Sequence, residues 1–286
     1  MTFFALMLLL ASAFLHAGWN LVAKRVAGGA AFTWLFSVMA VFLVAPVVVA
    51  GDLLQQIPWN GPLVAAVLGS GFVEVLYYLL LQKGYRFGDL SVVYPVARGT
   101  GPVLATSLAL VLLGENPSPL NLFGTACVVT GIFMIAGGMQ LFRRIRTDRG
   151  LSLGLATGAC IAGYSTIDKF AVGVARVHPV VYFWLVLVVQ VLFLTPWAFR
   201  ERGGVGARLK VNGKSALAIA LLSTASYVAV LYALRISPLS IIAPAREAGI
   251  VIGVFLGTTV LGEGGRSRRL IGSTVVLAGL GFLSLG

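Results

Sequence analysis

Apolar residues gather into stretches of about 20 along the whole chain, with short segments rich in Lys, Arg, Gly and Pro between them. That is the length a helix needs to cross ~30 Å of hydrocarbon. The stretches lack strict two-residue alternation, so they read as helices and not as barrel strands. Ten spans are predicted, near 2–22, 30–50, 60–83, 90–113, 119–140, 150–172, 178–199, 213–235, 239–261 and 266–285. The longest connection, near 200–212, carries Arg200, Glu201, Arg202, Arg208 and Lys210, and no soluble domain fits between any two spans.

Composition sharpens this picture. Of 286 residues, 59% are hydrophobic and 10% charged, against about 25% charged in a soluble domain. Such a chain cannot cover itself with polar surface, so the expected class is an all-α integral membrane protein. The net charge of +12 does not indicate nucleic acid, because the basic residues sit in short loops where they set orientation and meet lipid headgroups. Cys127 and Cys160 both fall inside predicted spans. They read as packing residues, with no metal or disulfide pattern. Residues 3–15 resemble a signal-peptide core, with Ala11-Ser12-Ala13 as a cleavage site. Without a basic stretch ahead of it, the segment is expected to stay as the first helix.

The chain repeats itself. Ala17-Gly18-Trp19-Asn20-Leu21-Val22-Ala23-Lys24 aligns with Ala162-Gly163-Tyr164-Ser165-Thr166-Ile167-Asp168-Lys169. Gly84 to Ser91 aligns with Ala233 to Ser240, and Leu113-Gly114-Glu115 with Leu261-Gly262-Glu263. Gly124 and Gly131 align with Gly272 and Gly279. Residues 1–145 and 146–286 are therefore two copies of a five-helix unit. Five is odd, so the second copy enters the membrane from the opposite side. Inverted repeats of this kind are characteristic of secondary transporters, with a binding site near the midplane where the halves meet.

Orientation follows from the basic residues. Of 21 Lys and Arg, Arg98 and Arg246 lie within spans. Three others, Lys169, Arg176 and Arg235, lie on one side, and the remaining 16 lie on the other. The positive-inside rule then places both termini outside, in the periplasm of a bacterium with two membranes.

Intramembrane polar residues mark the candidate site. Ser91 to Pro102 and Ser240 to Val251 are near copies, and each sets a proline and an arginine in an apolar run. Pro95, Pro102 and Pro244 are candidate helix bends. Arg98 and Arg246 lie about 12 Å into their spans at 1.5 Å per residue, where an unpaired charge costs several kcal/mol. By depth, Arg98 is expected to meet Glu74. Glu247, beside Arg246, is expected to meet another helix, because adjacent helical residues point apart. The alternative role for these charges is helix bridging with no solute contact.

Tyr78, Tyr164 and Tyr227 lie deep, where a hydroxyl needs a partner, whereas Tyr94, Tyr182, Trp59 and Trp197 suit the interfacial belt. Trp19, Asn20 and Ser165 complete the candidate contacts. His16 is weighed as a helix-to-helix hydrogen bond, and Asp168 beside Lys169 as a snorkelling pair. Gly249, Gly253 and Gly257, and likewise Gly154 and Gly158, predict tight helix contacts. Gly213-Lys214-Ser215 ends like a phosphate loop, but Arg208 occupies the place of its first glycine. No enzyme motif is present, so the expectation is a non-enzyme that needs neither cofactor nor metal.

With ten spans in a five-plus-five duplication, the repeated link into spans four and nine, and Leu-Gly-Glu after each, the chain resembles the EamA type of the drug/metabolite transporter superfamily. The resemblance runs over nearly the whole chain. It implies an alternating-access carrier, often an exporter of amino acids or other small metabolites, with its cavity formed by spans 1, 3, 4, 6, 8 and 9. Within the family it is most similar to the branch exporting aromatic and apolar amino acids. One feature departs from the family, many of whose members have both ends in the cytoplasm. The expected partners are a small-molecule solute and the lipid bilayer, without nucleic acid, and the protein is expected to act as a monomer. The alternatives are a multidrug, nucleotide-sugar or other-metabolite carrier on the same fold, a channel, or a non-transporting membrane protein.

Overall fold

In a computed structural model the described residues are 1–26, 29–87, 90–138, 150–201, 204–260 and 266–286. Leu261-Gly262-Glu263 and most of the basic loop before Gly150 lie outside them. The helices are α1 (Phe3–Val26), α2 (Ala30–Ala50), α3 (Gly61–Phe87), α4 (Leu90–Leu112), α5 (Pro119–Ala136) and α6 (Gly150–Lys169). They continue with α7 (Pro179–Arg200), α8 (Gly204–Ile236), α9 (Leu239–Ala245), α10 (Ala248–Val260) and α11 (Arg266–Leu285). A π turn, Phe170–Val174, carries α6 onward.

Among the described residues, nine helices are long and apolar enough to cross a membrane. The expected ninth crossing is instead two helices, α9 and α10, of 7 and 13 residues. Of the ten predicted spans, nine are thus single long helices among the described residues, and the ninth in order is a broken one. The outward face is apolar, with Phe42, Phe72, Val111, Phe123 and Phe255 exposed, as a lipid solvent allows.

Local chemistry explains several ends. Gly114, at φ +64, reverses the chain after α4. Ser118 caps α5 by accepting from the Asn121 amide at 3.2 Å, with Pro119 following at the first helical position. Residues 204–212, predicted as part of a loop from their charges, are helical. α8 begins at Gly204 and runs 33 residues. Glu201 accepts from Arg208 at 2.9 Å and from the Ala31 amide at 2.8 Å, which ties this helical extension to α2. Gly213-Lys214-Ser215 lies inside that helix.

The two repeats share one packing scheme. Exchanging each span with its mate carries the α1–α8 contact into α6–α3, α2–α8 into α7–α3, and α4–α6 into α10–α1. The α5–α11, α2–α7 and α4–α9 contacts map onto themselves. The α2–α7 pair shows the symmetry at atomic level. Trp34 Nε1 on α2 donates to Thr195 on α7 at 3.0 Å, and Trp184 Nε1 on α7 donates to the Val41 carbonyl on α2 at 3.1 Å.

The α5–α11 pair fixes the direction. Gly124 faces Gly279 and Gly131 faces Gly272, so numbers rise along one helix as they fall along the other. Equivalent helices of the two repeats thus run antiparallel, the relation an inverted repeat requires.

The symmetry breaks between spans four and nine. Pro95 and Pro102 lie in an uninterrupted α4. Pro244 lies two residues before the break between α9 and α10, which falls at Arg246 and Glu247. Proline removes the amide that would reach the Ser240 carbonyl, and Thr106 of α4 donates to that oxygen instead, at 3.5 Å. The glycine contacts differ in the same sense. On α6, a Cβ at Gly154 or Gly158 would sit 3.1 Å from the Val93 carbonyl or 3.0 Å from that of Ala97, so α4 and α6 are locked. In the mate contact, a Cβ at Gly249 finds Ala13 at 3.8 Å, and one at Gly253 finds nothing within 4 Å. Of the glycines predicted to pack tightly in the ninth span, Gly249 and Gly253 therefore sit in loose contacts.

Candidate functional site

Arg98 and Glu247 form the centre of the site. They are 149 residues apart, the same offset as Pro95 to Pro244, so the two occupy equivalent positions of the repeats. Spans four and nine meet near the pseudo-symmetry axis, which brings equivalent positions together. Identical charges there would repel, and here the residues are opposite. Arg98 Nε lies 3.0 Å from Glu247 Oε2, with side-chain exposures of 13% and 4%. The pair is close, yet its alignment falls short of a hydrogen bond. The expected Arg98–Glu74 pairing is corrected accordingly, because depth along a helix does not say which neighbour a side chain faces.

A cavity of about 110 Å³ opens beside this pair. Arg98 lines it, as does Arg246 from the helix break. From α1 come Ser12, Ala13, His16 and Trp19, and from α3 come Glu74, Tyr77 and Tyr78. Tyr164 of α6 and Tyr227, Ser223 and Ser226 of α8 complete the polar wall, with Phe183, Leu187 and Gln190 from α7. Glu74 and Ser223 are mates at an offset of 149, as are Tyr78 and Tyr227.

Both charge signs face this space. The Arg246 guanidinium sits 5.4 Å over the Tyr227 ring and 3.4 Å from Ser165 Oγ, a cation held by an aromatic face. Tyr77, Tyr78, Tyr164, Tyr227 and Phe183 form a chain of edge and tilted contacts, with centroids between 5.1 and 6.4 Å apart. His16 contacts Trp19 edge-on at 4.9 Å. A wall of this kind, aromatic with two arginines and one carboxylate set into it, suits a small amphipathic solute.

Of the residues singled out from sequence, Trp19, Glu74, Tyr78, Arg98, Tyr164, Tyr227 and Arg246 share this cavity. Ser165 is buried behind it, against Arg246. Glu247 faces Arg98 from beside it. Asn20 does not join them, for it is exposed and donates to the His16 carbonyl one turn back, at 2.8 Å.

Two side chains depart from their expected places. Tyr182 is 1% exposed and donates to Asp168 at 2.7 Å, so it is not an interfacial belt residue. Asp168 does not snorkel. It is 1% exposed and accepts from Ser70 at 2.6 Å, from Tyr182, and from the Tyr227 hydroxyl. Lys169 parts from it and donates to the Leu234 and Ser237 carbonyls, both at 2.8 Å. Their adjacency in sequence suggested a pair at a helix end. The π turn moves that end five residues onward, which leaves Asp168 inside the bundle.

On the other side of the axis, Glu115 reaches across to α9. Its carboxylate accepts from the Leu239 and Ser240 amides at 2.7 and 2.9 Å and from Ser240 Oγ at 2.7 Å, so a residue of the first repeat caps a helix of the second.

Comparison with known proteins agrees with this architecture. A solved crystal structure superposes with a TM-score of 0.75 over 98% of this chain and 96% of its own, at 16% identity, which is likeness of fold. An uncharacterized transporter of Synechocystis sp. is 28% identical over 152 residues, 50% of this chain and 44% of that protein. A multidrug transporter of Pseudomonas aeruginosa is 28% identical over 106 residues, 37% of this chain and 91% of that protein. The EamA-like transporter family matches twice, over residues 3–137 and 148–285, once in each repeat. The chain belongs to the EamA-like transporter family.

Proposed function

We propose that this protein is a secondary carrier that exports small organic solutes by alternating access, amino acids with aromatic or apolar side chains first among them. The observation that carries the reading is the cavity between the repeats, lined by mated helices and bearing Arg246, Glu74 and a tyrosine wall. An amino acid has the matching parts, with its carboxylate for Arg246, its ammonium for Glu74 and its side chain for the rings.

The unequal mate contacts support the alternating mechanism. α4 is locked on α6 while α10 stands off α1. Exchanging those two contacts between repeats converts one arrangement into its mirror in the membrane, at similar energy. The likeness to a multidrug transporter favours, as a second reading, a carrier of amphipathic cations on the same site. A nucleotide sugar fits less well, because among the described lining residues Arg246 is the cation outside a salt bridge.

Counterflow tests the reading. Proteoliposomes preloaded with a panel of unlabelled amino acids are given labelled tryptophan, methionine or threonine outside. Transient accumulation is expected, and it separates a carrier from a channel. None with any amino acid, but accumulation of a hydrophobic amine, would favour the multidrug reading. We further place the protein in a bacterial inner membrane as a monomer with periplasmic termini, from its basic loops. A C-terminal alkaline phosphatase fusion is then expected to be active, and an inactive fusion with an active cytoplasmic reporter reverses the topology.

A further inference from the structure

We propose that Asp168 is a proton-binding site whose occupancy competes with an amine-bearing solute, so that the carrier exchanges protons for solute. This rests on the carrier reading above and adds the coupling ion to it. Asp168 Oδ1 accepts from Ser70 of α3 and Tyr182 of α7, and Oδ2 from Tyr227 of α8. Three helices drawn from both repeats therefore end on one carboxylate, and one of the donors, Tyr227, also lines the cavity.

The other charged groups nearby are Glu74 of α3 and Arg246 at the helix break, with Tyr164 on α6 itself. Arg98 of α4 is engaged by Glu247, and Lys169 by backbone carbonyls. No salt bridge to Asp168 exists among the described residues. Its charge is held by hydroxyls and not cancelled by a contacting cation.

Hydroxyls both donate and accept, so this donor set accommodates either state of the acid. A proton arriving from water forms an O–H bond at Oδ2, which then donates to the Tyr227 oxygen. The Tyr227 hydrogen leaves Asp168 and turns toward the cavity. With Asp168 ionised, Tyr227 offers the cavity acceptor lone pairs, and a negative charge lies behind them, which favours an ammonium. With Asp168 protonated, a hydroxyl hydrogen faces the ammonium and that charge is gone. The two cations exclude one another, which is the condition for exchange. Glu247 is the poorer proton acceptor for this purpose, since protonation would leave a buried guanidinium unpaired.

The test uses purified protein in liposomes with labelled tryptophan as the probe amine. Counterflow at equal pH on both faces is expected to fall at least ~10-fold from about pH 8 to about pH 5. An acid interior is expected to drive accumulation, bounded at about tenfold per pH unit for one proton per solute. Asp168→Asn offers an N–H to Tyr227 as the protonated acid does. It is expected to show slow, pH-independent counterflow and no gradient-driven accumulation. If it fails to insert, Tyr227→Phe, which leaves Ser70 and Tyr182 on the carboxylate, is expected to flatten the same profile. A wild-type pH profile in these variants overturns the proposal, and so does loss of all pH dependence in Glu74→Gln or wild-type counterflow that no gradient drives. Absence of counterflow for every amino acid at every pH sinks the amino-acid reading on which this rests instead. Infrared difference spectra between the same pH values then decide the proton site. A carboxyl band lost in Asp168→Asn supports it, and an unchanged band overturns it.

Discussion

Arg98→Ala is expected to abolish transport and to lower the melting temperature of the purified protein. The substitution strands Glu247, whose side chain is 4% exposed, as a buried carboxylate without its cation. Breaking a buried pair in this way costs about 3–5 kcal/mol, a large part of the ~5–15 kcal/mol that holds a typical fold. The two positions are equivalent about the pseudo-symmetry axis. The exchange Arg98→Glu with Glu247→Arg therefore puts the same charges back across the same gap. It is expected to recover most of the lost melting temperature, while each single exchange places like charges together and does not. Thermal melts followed by size-exclusion chromatography read the stability, and uptake assays on inserted protein read the transport. Normal transport by well-inserted Arg98→Ala would reduce the pair to a packing device.

The second large effect is expected where α5 crosses α11. A Cβ at Gly124 would lie 2.8 Å from the Gly279 carbonyl oxygen, and one at Gly279 would lie 2.7 Å from that of Gly124. Gly131 and Gly272 repeat the arrangement at 2.7 and 2.9 Å. The obstacle in all four cases is backbone, which cannot rotate away, so even alanine forces the helices apart. Overpacking of this kind costs about 1–3 kcal/mol per site. Helix association in lipid relies on such close approach. Alanine at any of the four is expected to lower the melting temperature, and leucine to prevent folding. Gly281, on the same helix with nothing within 4 Å of its Cβ, is the control that alanine leaves unchanged. Equal losses at Gly281 and Gly279 would contradict the crossing.

These glycines were legible in the sequence as landmarks of the repeat, as were the helical runs and the two copies themselves. Their packing partners were not. A repeat register gives equivalence and depth, but the angle around a helix depends on the neighbours. Arg98 was therefore matched by depth to Glu74. A readable signal did exist, because Arg98 and Glu247 share the offset of Pro95 and Pro244, and equivalent positions on self-paired spans face one another. The Asp168 cluster was harder to foresee. Its position beside Lys169 suggested a helix end, and nothing in residue order announces a π turn. The break at Arg246 was half visible, since Pro244 marked it, but Pro95 and Pro102 stand in an unbroken helix. Proline permits a break, and tertiary packing decides whether one forms.

Ser223 lines the cavity opposite Glu74's helix, as that residue's mate. In a protein cleared of Cys127 and Cys160 and carrying Ser223→Cys, maleimide labelling reads occupancy of the cavity directly. The expected result is that an amino acid active in counterflow slows labelling, with half-protection near its transport KM. Labelling that proceeds at the same rate with saturating transported solute would contradict the account, because the solute would then bind elsewhere.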